Sequence, residues 1–103
     1  MNDKYILKNK KTIPTDDIIE WGKWFETANR RVAETTLKNG LWVSTVFLGL
    51  DHNFLVGGKP KIFETMVFPT DEMGELDCER YSTWEEAEEG HKKMVKKWSK
   101  KEI

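Results

Sequence analysis

The chain has 103 residues, of which 34% are charged, and its formal net charge is −1. This length favours one domain, so residues 1–103 are expected to share a single core. The near-neutral balance disfavours a nucleic-acid coat protein, which needs an excess of Lys and Arg to neutralise phosphates. The single cysteine, Cys78, excludes an internal disulfide and favours a reducing compartment.

No segment of the sequence is suited to a membrane. The longest apolar run falls short of the ~20 residues that a transmembrane helix needs. The N-terminal stretch, MNDKYILKNKKTIP, lacks the hydrophobic core of a signal peptide. We therefore expect a cytoplasmic protein without membrane contact.

The chain begins with a short basic segment and a helix. Apolar residues flank KNKK, which fits either a hairpin that turns at Asn9 or an unpaired basic arm. Thr15 can cap the helix that follows. This helix is expected to run through IIEWGKWFETANR and to stop near Asn29. Its buried stripe is expected to comprise Ile18, Trp21, Trp24, Phe25 and Ala28.

Three strands are predicted after this helix. The dipeptide Asn39-Gly40 is a strong hairpin signal, and it joins Arg31–Leu37 to Leu41–Leu50. Both faces of the second strand carry apolar side chains, which indicates a central position in the sheet. The third strand, Lys61–Phe68, follows a loop rich in Gly and Pro.

An acidic loop and a second helix complete the chain. Residues 70–80 are expected to form the loop. Ser82 or Thr83 can begin the helix with a capping box. Glutamates fill the first half of this helix and lysines the second, which is the order that the helix dipole favours. Its buried stripe is expected to comprise Trp84, Ala87, His91, Met94, Val95 and Trp98.

These elements predict an α+β fold. A three-stranded antiparallel β-meander packs with two α-helices, and an N-terminal β-hairpin is added if KNKK forms a turn. Arg31–Leu37 and Lys61–Phe68 would then be the outer strands. Either of them could pair with a second copy, so a homodimer is left open.

The most suggestive polar cluster is Asp51-His52-Asn53, which follows the central strand. An Asp beside a His could tune an imidazole for acid–base work or bind a metal. Asp and Asn are more commonly turn residues, whose side chains bond the local backbone. Both interpretations stay open from sequence alone.

Two further titratable residues lie in apolar surroundings. Glu64 interrupts an apolar strand, so it either faces solvent or is buried with a partner, as at many functional sites. His91 lies on the apolar stripe of the last helix, where a packed histidine is the commoner arrangement. The candidate ligand-binding residues are Asp51, His52, Asn53, Glu64, Tyr81, Trp84 and His91.

No catalytic motif is present. The sequence contains no phosphate-binding glycine motif, no nucleophile elbow and no zinc-type cysteine pair. The carboxylates around Cys78 disfavour a thiolate nucleophile. No catalytic residue, no metal ligand and no cofactor is therefore assigned.

Several phrases resemble those of a known family. VSTVFLGLDHNF, FETMVF and RYSTWEEAEEGHKKMV resemble the signature of small proteins encoded by tailed phages and prophages. WGKWFETANRRVAET is similar as well, so the resemblance extends from about Ile18 to Val95. It implies a phage gene product that acts in bacterial cytoplasm, and it carries over no catalytic residue.

Three functions are compatible with these observations. The first is a non-enzymatic accessory protein that binds a host or phage macromolecule, in host takeover or inhibition of a bacterial defence system. A protein is the expected partner, nucleic acid is disfavoured, and the expected surfaces are the His52 loop and the acidic loop around Asp77. The second is binding of a nucleotide or metal ion by the candidate residues. The third and least favoured is a small hydrolase.

Overall fold

The computed structural model describes residues 3–53, 57–70 and 73–101. These residues form an α+β fold, as the sequence predicts, and their strands lie in two antiparallel sheets. No helix among them is both long and apolar enough to cross a bilayer. The elements in chain order are β1 (Tyr5–Lys8), β2 (Lys11–Pro14), α1 (Ile18–Thr27), β3 (Arg31–Thr36), β4 (Trp42–Phe47), β5 (Phe63–Phe68), β6 (Asp77–Tyr81) and α2 (Trp84–Ser99).

The N-terminal segment is a hairpin rather than an unpaired arm. β1 pairs with β2, and Lys8 lies opposite Lys11. The two residues between them, Asn9 and Lys10, have φ values of 54° and 68°. Two consecutive left-handed residues make the tight turn whose twist matches that of paired strands, and Asn tolerates this conformation well.

The main sheet has four strands in the order β3-β4-β5-β6, so the predicted three-stranded meander is one strand too short. The predicted acidic loop is wrong over residues 77–80, which together with Tyr81 form β6 and pair with β5 from Phe63↔Tyr81 to Val67↔Asp77. Lys61–Phe68 is consequently not an outer strand. Charged residues are rare in strands, but an edge strand tolerates them because one of its sides meets water.

Helix α1 differs in two details from the sequence prediction. Asp17 rather than Thr15 is its N-cap, and the Asp17 side chain accepts hydrogen bonds from Ile19 N and Glu20 N. No residue of α1 is fully buried; Ile18, which was expected in the stripe, is 66% exposed, and the other four stripe residues are half-buried. The inner side of α1 is marked by Trp24, whose ring meets Phe47 edge-on with 5.7 Å between centroids.

Helix α2 covers one face of the main sheet. It begins with a capping box in which Thr83 Oγ1 accepts from Glu86 N and the Glu86 carboxylate accepts from Thr83 N. The predicted stripe is confirmed at Ala87, His91 and Met94, which are buried. Beneath the helix lie sheet residues with no exposed surface, namely Val43, Phe47, Phe63 and Val67.

Candidate functional site: a groove between β6 and α2

A groove of about 570 Å³ runs between the outer strand β6 and the flank of α2. Asp77, Glu79 and Tyr81 line it from the strand. They share one face because alternate residues of a strand point the same way, and their partners in β5 lie beneath α2. Residues of α2 separated by three or four positions supply the other wall.

The floor of the groove is formed where Tyr81 meets Gly90. A side chain at position 90 would overlap Cζ, Oη and Cε1 of the Tyr81 ring. Glycine therefore allows α2 to approach β6 closely enough to cover the tip of the ring. Burial raises the pKa of Tyr81, and the Thr65 hydroxyl opposes that shift. Among the described residues no hydrogen bond of good geometry reaches the Tyr81 hydroxyl.

The walls of the groove are predominantly acidic. Lys97 Nζ lies 2.7 Å from Asp77 Oδ2, and Trp98 Nε1 donates to the same oxygen at 2.9 Å. These two bonds hold the pKa of Asp77 below its usual value. Two ammonium groups line the groove, those of Lys93 and Lys97. Five carboxylates line it: Asp77, Glu79, Glu85, Glu86 and Glu89.

Three of these carboxylates form an acidic rim, which we define as Glu79, Glu85 and Glu89. The other two are engaged, one by Lys97 and Trp98 and one by the capping box. Glu89 has an ion pair at 3.5 Å with Lys92, but both side chains are about two-thirds exposed or more, so the pair is weak. The rim is therefore available to a cationic ligand.

The sequence-predicted residue His91 points into the sheet. Its Nε2 lies 2.9 Å from Thr35 Oγ1, and its Nδ1 lies 2.7 Å from Thr45 Oγ1. The Thr45 hydroxyl also contacts the Thr65 hydroxyl, at 2.5 Å. Burial lowers the pKa of His91, so the neutral imidazole is favoured. Both ring nitrogens are thus bonded within the core to hydroxyl groups of neighbouring strands.

Glu64 lies on the sheet face opposite α2 and is 8% exposed. Arg80 Nε donates to Glu64 Oε2 at 2.9 Å, and Cys78 Sγ lies 3.6 Å from the same oxygen. Burial and then the charge of Glu64 raise the pKa of Cys78 to about 11. The carboxylate is therefore buried with a cationic partner, one of the two alternatives that the sequence leaves open.

The cluster after β4 forms a turn. Asp51 Oδ1 accepts from Asn53 N at 2.8 Å and from Lys61 N at 2.9 Å, which joins the two ends of the loop. His52 Nδ1 lies 2.9 Å from Leu50 O. The Asn53 amide donates to two carbonyls of the returning loop. The polar groups of the cluster therefore bond largely to nearby backbone.

Of the predicted site residues, Tyr81 and Trp84 are brought together. Both pack against the cluster that contains Phe63, and the Trp84 ring lies 6.3 Å from the Phe63 ring. Trp84 Nε1 is buried and has no hydrogen-bond partner among the described residues. Glu64 lies on the other face of the sheet. Within the described ranges no group of three or more His, Cys, Asp or Glu side chains could hold a metal ion.

The three rim residues are absent from the candidate ligand-binding residues, although the acidic loop around Asp77, to which Glu79 was assigned, was an expected binding surface. From sequence, Glu85 and Glu89 are explained by the helix dipole and Glu79 by an acidic loop. No periodic signal marks this strand, since apolar and polar residues do not alternate regularly over DCERY. A strand there would have placed the carboxylates beside the helix.

No protein-family model, no curated protein and no solved structure matches the chain. The resemblance to phage-encoded proteins therefore stays a prediction. Function has to be inferred from the contacts, charges and exposed edges of this chain alone.

Proposed function

We propose that this chain is a non-enzymatic binding protein whose β6–α2 groove takes a basic segment of a protein partner. The observation that carries the proposal is the acidic rim, whose three carboxylates border a groove with an apolar floor. Tyr81 and Met94 supply apolar surface there. A segment that combines Lys or Arg with small apolar side chains complements both features.

The charge of the groove determines the class of partner. Five carboxylates face two ammonium groups, and Lys97 is already paired with Asp77. Such a surface repels the phosphates of nucleic acid and attracts cationic peptide. The sequence resemblance suggests that the partner is a host or phage protein in bacterial cytoplasm, bound in host takeover or in inhibition of a defence system.

Affinity capture with charge variants tests this proposal. The immobilised chain is exposed to lysate of infected and uninfected bacteria, and the retained proteins are identified. We expect a partner that is lost from the double variant Glu79→Gln/Glu89→Gln. The matched control is Glu26→Gln/Glu88→Gln, which removes the same charge from two exposed helical positions outside the groove.

Two results would contradict the proposal. One is capture of no protein by the wild-type chain. The other is equal capture by Glu79→Gln/Glu89→Gln and by Glu26→Gln/Glu88→Gln, which would place the binding surface elsewhere. Circular dichroism of each variant verifies that the fold is retained.

A small-ligand function is the second candidate, because a groove of about 570 Å³ also lies in the size range of small-molecule pockets. A ligand that binds only the native state raises the apparent stability. Thermal unfolding with a panel of nucleotides, polyamines and divalent metals separates the two functions. An increase in Tm that Glu79→Gln/Glu89→Gln abolishes would favour a small cation over a protein segment.

A further inference from the structure

The outer side of β6 is an unpaired sheet edge. The sheet order is β3-β4-β5-β6, and within residues 3–53, 57–70 and 73–101 no strand pairs with the far side of β6. An edge strand presents N–H and C=O groups that can pair with another strand; on β6 the Cys78 N–H also donates to Asp77 Oδ1, at 2.9 Å. The acidic rim borders this same edge, since Glu79 belongs to β6 itself.

The two edges of the sheet differ in regularity. β3, at the other edge, has a register shift between Arg31 and Ala33. Such an irregularity twists a strand and discourages strand addition. β6 pairs in continuous register over all five of its residues. β6 is therefore the better template for a further strand.

A second copy of this chain does not suit the β6 edge. Antiparallel self-pairing of two copies about a twofold axis sets residues of the same face opposite each other. Pairing centred on Glu79 places Glu79 opposite Glu79, and pairing centred on Cys78 places Asp77 opposite Glu79. Pairing centred on Arg80 opposes two arginines. Like charges directly opposite each other destabilise strand pairs, so the edge favours a different and basic strand.

We propose that the partner segment binds as an extended strand added to the free edge of β6, with Lys or Arg at alternate positions facing the acidic rim. This inference rests on the proposed function and specifies its binding mode. Main-chain hydrogen bonds to β6 supply affinity, and the alternate side chains supply selectivity. β6 has five residues, so a partner strand of about five residues would match its length. Alternate side chains of such a strand lie ~6.6–6.8 Å apart on one face.

The test uses a synthetic peptide, KVKTKVK, in which lysines alternate with uncharged residues. Binding of the fluorescently labelled peptide to the full chain is followed by anisotropy. Two further peptides carry backbone N-methyl groups, each on one of the two alternating sets of amides. Because alternate amides of a strand point to opposite sides, only one set can face β6.

We expect the two methylated peptides to differ. Methylation of the set that faces β6 should weaken binding by about tenfold or more, since several hydrogen bonds are lost. Methylation of the other set should leave binding nearly unchanged. The composition-matched peptide KKVTVKK, whose lysines do not alternate, should bind more weakly than KVKTKVK. In hydrogen exchange, KVKTKVK should slow the amides of β6 on its free side.

Three outcomes would overturn the inference. KVKTKVK fails to bind the wild-type chain, or both methylated peptides bind as well as their parent, or sedimentation shows a dimer whose β6 amides are already protected without peptide. The result of the capture experiment does not depend on these outcomes, so the proposed function and the strand-addition inference can be contradicted separately. If capture still depends on Glu79 and Glu89 while methylation has no effect, the groove binds a partner but strand addition is wrong.

Discussion

The ring of Tyr81 on β6 lies directly beneath Gly90 of α2, where no other residue would fit without displacing the ring. The absence of a side chain at position 90 thus sets the distance between the helix and the edge strand. That distance shapes the groove in which binding is proposed. Gly90 is a structural requirement of the site although it carries no functional group.

The variant Gly90→Ala should be destabilised. Overpacking a close contact costs about 1–3 kcal/mol, and the better helix propensity of Ala returns at most about 1 kcal/mol. We expect a net loss of about 1–2 kcal/mol in the free energy of unfolding, measured by urea denaturation with tryptophan fluorescence.

Gly22→Ala is the matched control for this variant. Gly22 also lies within a helix, but a Cβ there would meet nothing within 4 Å. The same substitution should therefore stabilise the protein by about 0.5–1 kcal/mol. If the two variants shift the free energy of unfolding in the same direction, the contact between Gly90 and Tyr81 is not as described.

The stability of the protein should fall in mildly acidic solution because of His91. Burial lowers the pKa of this imidazole in the folded state, while a histidine side chain in the unfolded chain has a pKa of about 6.5. Below about pH 6.5 the unfolded state therefore binds more protons, and the free energy of unfolding decreases as the pH falls towards the folded-state pKa. Urea denaturation between about pH 7.5 and pH 5 measures this slope.

Two variants test whether His91 causes this pH dependence of the free energy of unfolding. His91→Gln removes the titrating group but keeps a side chain that can bond to hydroxyl groups, so the pH dependence in this range should flatten. His52→Asn should retain it. A wild-type stability that is constant across this range, or a slope that disappears in His52→Asn instead, would contradict the role given to His91.

Helix α2 was predictable because several local signals agree. Its capping box, its glutamate-to-lysine order and its apolar spacing all require only residues close in sequence. The hairpin at Asn39-Gly40 was predictable for the same reason. These elements are specified locally, and the structure contains both, although β4 ends at Phe47 rather than at the predicted Leu50.

Strand β6 and the groove were not predictable in the same way. Asp77, Glu79 and Arg80 have low strand propensity, and they are tolerated only because β6 lies at an edge. The partners of His91 come from two strands, Thr35 on β3 and Thr45 on β4, and hydroxyl pairing of this kind depends on strand register. Register between distant segments is set by tertiary packing, which one-dimensional periodicity does not contain.

The ion pair between Glu64 and Arg80, on the sheet face opposite α2, should contribute to stability. The Glu64 side chain is only 10% exposed, whereas that of Arg80 is 40% exposed. Arg80→Gln would leave a nearly buried carboxylate without its cation, and we expect a loss of about 1–2 kcal/mol in the free energy of unfolding. The exposed pair of Glu89 and Lys92 provides the comparison, since Lys92→Gln should change the free energy of unfolding by less than about 0.5 kcal/mol.

A double-mutant cycle isolates the interaction of Glu64 with Arg80. The coupling energy is obtained from Arg80→Gln, Glu64→Gln and the double variant by urea denaturation. Coupling is expected to be favourable. If Arg80→Gln lowered the free energy of unfolding as little as Lys92→Gln does, Arg80 would not stabilise the buried carboxylate of Glu64.

Cys78 should react slowly with thiol reagents. Its pKa is raised to about 11 by burial and by the adjacent Glu64, so the thiolate is scarce at pH 8. We expect a rate with a disulfide reagent roughly a hundredfold or more below that of free cysteine, and an increase in that rate in Glu64→Gln. Since Cys78 is the one cysteine of the chain, the assay has a single reporter. A wild-type rate equal to that of free cysteine would contradict this environment.

The most direct test of partner binding in the groove between β6 and α2 is site-specific photocrosslinking in bacterial lysate. A benzophenone amino acid replaces Lys93, an exposed residue that lines the groove but is not part of the acidic rim, in one variant, and Glu34 on β3, at the opposite edge of the sheet, in the other. The proposed groove predicts a crosslinked partner from position 93 and none from position 34. Crosslinking from position 34 alone, or equally from both positions, would contradict binding in the groove between β6 and α2.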